Sequence, residues 1–232
     1  MPNEPKKLYL HAIQRYRVKT GVTRLVLSVC LAVLPLGAGE VDLNALLKGI
    51  EQHYNRAKTL QVQFNEAYSV QGRPRKSESG DLTLRKPGRM RWDYSAPAGK
   101  LFLSDGKDVY LYTPEGNRVE KTKLKASEDM RAPLAFLLGK LDFGKEFRDF
   151  QVKQEGANYR VTAKAKSDKL PYEQIEMLIA PVYTIRRLVI NGQDQSVLTF
   201  EFDKEKLNPP VNDALFKFQM PAGATLVTEG GQ

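Results

Sequence analysis

The sequence predicts a mainly β domain with short helices, an antiparallel meander preceded by one amphipathic helix. Three observations predict it. Apolar and polar residues alternate at period two in seven segments, glycine-bearing turns separate several of them, and one early stretch alone carries a 3.6-residue period. The 232-residue length, with 41% hydrophobic and 27% charged residues, fits a folded chain and not a disordered one.

The chain opens on a basic segment. Residues 1–39 hold six Lys/Arg (Lys6, Lys7, Arg15, Arg17, Lys19, Arg24) against Glu4, so the net charge of +9 falls to +4 in the remainder. Leu25 to Leu36 is a 12-residue uncharged apolar run, shorter than the ~20 residues a spanning helix needs. It ends at Pro35, and Gly37-Ala38-Gly39 follows. A basic region, a short apolar core and small residues describe a secretory signal peptide over 1–39, cut before Glu40. Cys30 is the sole cysteine. A lipoprotein-type cleavage wants a small residue before the cysteine, whereas Val29 stands there. The expected exported domain, residues 40–232, then has no cysteine and is stabilised by core burial alone.

Within that domain the elements follow in order. Leu43, Leu46, Leu47, Ile50 and Tyr54 fall on one helical face, with Lys48, Glu51, Gln52 and Arg56 opposite, and Asp42 as N-cap. From Leu60 the period is two: Leu60/Val62/Phe64, then Leu82/Leu84, Met90/Trp92/Tyr94, Val109/Leu111, Tyr159/Val161/Ala163, Ile175/Met177/Ile179 and Leu198/Phe200/Phe202. Asp105-Gly106, Glu115-Gly116-Asn117, Glu155-Gly156 and Asn191-Gly192 supply hairpin turns. Pro133 to Leu138, closed by Gly139, reads as a short helix apolar almost all round. Such a helix is most often a core plug, and it can also be a lid over an apolar cavity. No repeat or linker marks a further domain.

Catalytic chemistry lacks its parts. His53 is the one histidine beyond residue 39, and its i, i+4 neighbours are Gly49 and Ala57, so neither a metal site nor a Ser/His/Asp triad is supported. There is no phosphate-cradling glycine loop and no cofactor motif. Asp81, Asp93 and Glu201 read as exposed strand and turn carboxylates before they read as a glycosidase pair. The basic row Arg85, Lys86, Arg89, Arg91 is interleaved with Met90, Trp92 and Tyr94, but on a strand the aromatics face away from the arginines. Nucleic-acid binding is therefore not expected.

The stretch GDLTLRKPGRMRWDYSAPAGKLFLSDGKDVYLYTP, Gly80 to Pro114, resembles the periplasmic lipoprotein carrier family LolA. Phe64, the Pro133–Leu138 helix, Gln154-Glu155-Gly156 before Tyr159 and Val161, the Asp213–Phe218 run and Pro221-Ala222-Gly223 fall in family order, so the resemblance covers residues 41 to 228. It implies an unclosed antiparallel β-barrel of about 11 strands, whose concave apolar face is covered by an N-terminal helix and short lid helices. It implies a noncatalytic monomer without cofactor or metal. Its partners would be acylated lipoproteins, an ATP-driven release complex in the inner membrane (LolCDE-like) and an outer-membrane receptor (LolB-like).

On that resemblance Leu82, Leu84, Met90, Trp92, Tyr94, Leu101, Leu103, Val109 and Leu111 are expected to wall the lipid cavity. Each taken singly also reads as ordinary core. The family's lid is held by an arginine just before the Pro; here the position is Lys86, with Arg85 pointing to the other face and Met90 at a commonly aromatic position. The expected lock joins Lys86 to the backbone of the lid, Leu134, Phe136, Leu137 and Leu138, more loosely than a guanidinium would. Two other readings share the fold. A lipid- or peptide-sensing envelope domain normally carries a second domain, and the outer-membrane receptor needs a lipidated cysteine. An enzyme is the third rival.

Overall fold

The computed structural model describes residues 41–124 and 141–228. Helix α1 (Leu43–Asn55) starts where the sequence places it, with Asp42 Oδ1 accepting from Ala45 N at 3.0 Å. That fills one of the donors a helix start leaves open. Thirteen strands follow among the described residues: β1 (Thr59–Val70), β2 (Arg73–Pro74), β3 (Glu78–Arg85), β4 (Arg89–Ala96), β5 (Leu101–Asp105), β6 (Asp108–Thr113) and β7 (Arg118–Lys123), then β8 (Phe147–Glu155), β9 (Asn158–Ala165), β10 (Tyr172–Ile179), β11 (Ile185–Gly192), β12 (Ser196–Leu207) and β13 (Thr225–Thr228). A single helical turn, α2 (Phe143–Glu146), precedes β8, and a 3-10 turn at Asp213–Phe216 follows β12.

All thirteen strands form one sheet in the order β13-β7-β6-β5-β4-β3-β1-β12-β11-β10-β9-β8, with β2 paired to β1 off this path. Among the described residues its edges, β13 and β8, do not pair, so the sheet is unclosed. The simple meander expected from the turns is corrected in two places. β1 lies centrally, with Val62 opposite Leu82 of β3 and Phe64 opposite Phe202 of β12, and so joins two meanders, β3–β7 and β8–β12. Alternation says which face a residue takes but not which strand lies beside it. β13 also pairs with β7 in parallel, Leu226 opposite Val119. A parallel neighbour requires a crossover, and residues 208–224 provide it by returning along the outer face.

The predicted turns sit between strands, Gly106, Gly116 and Gly156 each at positive φ. Gly192 is displaced, closing β11 one step before the turn that Gln195 N seals on Gly192 O.

The inner face of the sheet holds the main core. Phe64 meets Trp92 edge-on at 4.7 Å and Tyr94 at 5.1 Å, while Trp92 lies 5.3 Å from Phe200. Leu46, Ile50 and Tyr54 of α1 pack into the same cluster, which is why the helix needs an apolar stripe and no more. The outer face is covered locally. Arg85 Nη1 donates to Val211 O at 2.8 Å and pairs with Asp213 at 2.7 Å, Arg89 reaches Asp213, and Arg91 donates to Leu215 O. The basic row thus straps the returning C-terminal segment to β3 and β4, with Phe216 buried beneath and Phe218 stacked on Tyr110. Among the described residues, no helix is long and apolar enough to cross a membrane.

Candidate functional site: an apolar inner wall fastened under helix α1

Register decides which of the predicted wall residues share a face. Leu82 is opposite Trp92 and Leu84 opposite Met90; Trp92 is opposite Phe102, which is opposite Leu111; Met90 is opposite Ser104, which is opposite Val109. Leu82, Leu84, Met90, Trp92, Val109 and Leu111 therefore form one continuous inner wall. Tyr94 stands opposite Gly80 on the same face.

Leu101 and Leu103 do not belong to it. They pair with Asp93 and Arg91 on one side and with Tyr112 and Tyr110 on the other, so they face outward, Leu103 fully buried on the outer side of the sheet. Their placement is corrected by Phe102, the residue between them. Leu101-Phe102-Leu103 is apolar on both faces, and such a run carries no alternation from which to choose.

Most of this wall is packed solid. Met90 and Trp92 have no exposure, and Trp92 Nε1 donates to Met90 Sδ at 3.4 Å. Two small clefts lie beside the C-terminal end of α1. One spans about 330 Å³, most of it open to solvent, and is lined by Tyr54, Leu60, Val62, Leu82, Ile185, Leu188, Phe202 and Glu205. The other, about 220 Å³, lies against Tyr54, Leu60, Leu84 and Lys86. Of the predicted wall, Leu82 and Leu84 line them. Sequence reasoning missed Tyr54, Ile185, Leu188, Phe202 and Glu205 as a set, since they come from the helix and from the second meander.

Polar groups fasten the helix over these clefts. Tyr54 Oη donates to Glu205 Oε2 at 2.8 Å and accepts from Ile185 N at 2.9 Å. His53 Nε2 lies 2.8 Å from Glu205 Oε1, and Thr184 Oγ1 donates to the same carboxylate at 3.3 Å. His53 has thus found its partner 152 residues away, where helical spacing could not reveal it. Burial, reinforced by the Glu205 charge, pushes the Tyr54 phenol well above its ordinary pKa, so it remains a neutral donor. Alongside, the Tyr183 ring covers α1 at Gly49, where an added Cβ would stand 2.2 Å from it.

Lys86 completes the fastening from the other side. Its Nζ donates to Tyr54 O at 2.8 Å, the last turn of α1, where a cation complements the helix dipole. Burial holds this ammonium below the ordinary lysine pKa. The expected contacts to Leu134, Phe136, Leu137 and Leu138 lie outside the described residues. Leu141 and Phe143, a few residues further along the chain, are tied to α1. Asn55 accepts from Leu141 N at 2.6 Å and donates to Leu141 O at 2.8 Å, and Glu51 accepts from Phe143 N.

The carboxylates considered for catalysis do not converge. Asp81 and Asp93 are exposed register partners on the outer face, Asp93 held by Arg91, and Glu201 is exposed on β12. Among the described residues, no group of three or more His, Cys, Asp or Glu could hold a metal.

Residues 55–219 match the family described as outer membrane lipoprotein carrier protein LolA. A protein of Dechloromonas aromatica named outer-membrane lipoprotein carrier protein is 29% identical over 213 residues, covering 90% of this chain and 98% of that one. One of the same name from Nitrosomonas europaea is 26% identical over 206 residues, 88% of this chain and 97% of the other. Among solved structures, a LolA superfamily protein from Nitrosomonas europaea aligns with a TM-score of 0.43 at 8% identity over 77% of this chain and 99% of that one. With a family match that spans β1 through β12 and the 3-10 turn, the chain belongs to the LolA family of outer membrane lipoprotein carrier proteins.

Proposed function

We propose that this protein is a periplasmic carrier that takes the acyl chains of lipoproteins leaving the inner membrane and delivers them to an outer-membrane receptor. One observation carries the reading: the inner face is an apolar wall covered by a helix whose fasteners are polar and reversible. Family membership supports the cargo class, because the relatives are named outer-membrane lipoprotein carrier proteins.

The physical need is large. Three acyl chains of roughly 16 carbons, at ~0.8 kcal/mol per buried CH₂, represent on the order of 40 kcal/mol against leaving a bilayer. The clefts beside α1 are small for such a load, with enclosed room for about one water each. Such a load does not enter these clefts as they stand, so loading there requires α1 to separate from the wall. An ATP-driven release complex in the inner membrane fits as donor and a LolB-like protein as acceptor. No residue on the wall reads a cargo sequence; contact with acyl chains is nondirectional.

Purified protein added to inner-membrane vesicles with ATP is expected to yield a soluble complex with an acylated lipoprotein. Trp92, the single tryptophan of the chain, is expected to shift or gain emission as Met90 and Trp92 exchange protein contacts for acyl contacts. Lipoprotein that stays with the vesicles in the presence of the protein and ATP would refute the carrier role. Saturable uptake with unchanged Trp92 emission would remove Trp92 from the site and leave the carrier role standing.

The proposal includes export. Residues 1–39 act as a signal peptide cut before Glu40, and the N-terminus of the exported chain is expected there. Sequencing that finds a start upstream of Leu25, or mass spectrometry that finds a diacylglyceryl group on Cys30, would overturn it.

A further inference from the structure

Several basic clusters of the fold are matched by acids: Arg85 and Arg89 by Asp213, Lys121 and Lys123 by Asp108, Arg160 by Glu155 and Glu176. The β1–β2 hairpin differs. Its tip carries Arg73, Arg75 and Lys76, all exposed and without a carboxylate partner among the described residues. The carboxylates that flank the hairpin are engaged elsewhere. Glu78 pairs with Lys100, Glu66 accepts from Tyr94 Oη at 3.2 Å, and Asp194 accepts from Ser196 N at 3.0 Å.

The hairpin also projects. β1 runs on to Val70 past Glu66, its last partner on β3, a further ~13 Å at the usual rise of a strand. Gln71 and Gly72, both at positive φ, make the tight turn. Arg75 N donates to Tyr68 O at 2.8 Å and Gln71 N to Gln195 O at 3.1 Å, which fixes the tip on β1 and on the turn before β12. The inner face of the same strand belongs to the apolar wall: Leu60, Val62 and Phe64 are buried there, and Tyr68 packs on the same core.

We propose that the Arg73–Lys76 tip docks this protein on a membrane surface that carries anionic phospholipid headgroups. The inference rests on the carrier reading for its purpose and extends it to how the protein meets a bilayer. Gln71 to Lys76 offer no large apolar side chain of the kind that anchors a protein interface at its centre. Attachment to an anionic leaflet needs only cations within a Debye length of the surface. The tip ends the strand whose inner face is the wall, so docking there brings the wall to the membrane that acyl chains leave. Three cations hold weakly and yield to salt, which suits a carrier that must depart again.

Cosedimentation with vesicles at millimolar lipid tests the tip without cargo, on the exported chain that begins at Glu40 and contains every described residue. The wild type is expected to bind vesicles of equal parts phosphatidylcholine and phosphatidylglycerol, to ignore vesicles of phosphatidylcholine, and to come off as salt rises. Arg73→Gln, Arg75→Gln and Lys76→Gln together are expected to weaken binding by roughly fivefold per cation, on the order of 100-fold in all. Lys107→Gln, Lys153→Gln and Lys217→Gln together remove the same charge from other exposed positions and are expected to change binding far less. If the hairpin triple variant melts early, Lys76→Gln decides by its fivefold loss against Lys107→Gln.

Equal losses in the tip and control variants would overturn the tip in favour of net charge. Equal binding to both kinds of vesicle, or binding to neither, would overturn the membrane as its partner. No lipoprotein is present, so each of these results leaves the carrier reading standing; that reading falls only on the release of lipoprotein from inner-membrane vesicles.

Discussion

Gly80→Ala is expected to lower the stability of this protein by about 3 kcal/mol, at the upper end of what overpacking costs. Gly80 begins the stretch that carries the family resemblance, and it is buried on the inner face between Phe64 of β1 and Tyr94 of β4. A Cβ there would stand 2.0 Å from Asp93 O and 2.9 Å from Tyr94 Cα. Both are backbone atoms, so no rotamer relieves the clash and β3 must part from β4. The register already shifts at Ser79/Gly80, where Gly80 pairs with Tyr94. For a domain of this size the loss corresponds to a fall in Tm of roughly 6–12 °C. Gly144→Ala is the matched control, since its Cβ meets only Asp142 Oδ1 at an ordinary 3.5 Å. Equal melting temperatures for Gly80→Ala and the wild type would show that the two strands can separate at no cost. Because parting β3 from β4 also displaces Trp92, acyl uptake is expected to fall with stability.

The inner wall is largely legible in the sequence, and the reason is period two. Met90, Trp92 and Tyr94 alternate with Arg91 and Asp93, and a strand has no other way to place three large apolar groups on one face. Where alternation stops, legibility stops. Leu101 and Leu103 read as inward because they are large and apolar, yet Phe102 between them is the residue that faces Trp92. The outer face has its own small core beneath the Asp213–Phe216 turn, and a sequence with apolar residues on both sides of a strand does not say which side is the cavity.

The fastening of α1 is legible only in part. Lys86 stands out by its place before Pro87, but its acceptor, the carbonyl of Tyr54, is a backbone atom of a helix whose position depends on the tertiary fold. His53, Tyr54 and Glu205 meet across some 150 residues, and each reads alone as an ordinary helix or strand residue. Asn55 and Glu51 present the same difficulty on the far side of the helix, where they hold Leu141 and Phe143. The consequence for function is mechanical. Through Asn55, a displacement of α1 pulls directly on the segment that leads out of residues 125–140, so the helix and the start of the second meander move as linked parts.

Lys86→Leu is expected to accept lipoprotein and to fail at handing it on, with transfer to the outer-membrane receptor reduced about tenfold or more. In the structure Nζ donates to Tyr54 O beside the smaller cleft, and a hydrogen bond from a charged donor is worth ~1.5–3 kcal/mol, about a factor of ten per 1.4 kcal/mol. Leucine removes that donor and extends the apolar surface continuous with Leu84. Two effects oppose it. Leucine relieves the desolvation that lowers the lysine pKa, and Ala57 N still donates to the same carbonyl. The first is limited because Lys86 is only half-buried, and the second does not replace the tie from the helix end to the end of β3. The open, loaded state therefore gains on the closed one. A carrier must release as well as bind, and release draws on the free energy of closing. Loading is then unchanged or faster, and the complex persists. Lys86→Arg is expected to preserve transfer or raise it, because a guanidinium keeps the positive charge at the helix end and offers more donors to it. The two steps separate in one assay: ATP-dependent release from inner-membrane vesicles measures loading, and subsequent transfer to purified receptor measures delivery. Wild-type delivery by Lys86→Leu would show that the bond to Tyr54 O does not hold the carrier shut, and Lys86 would then be a solvated charge at the end of a strand.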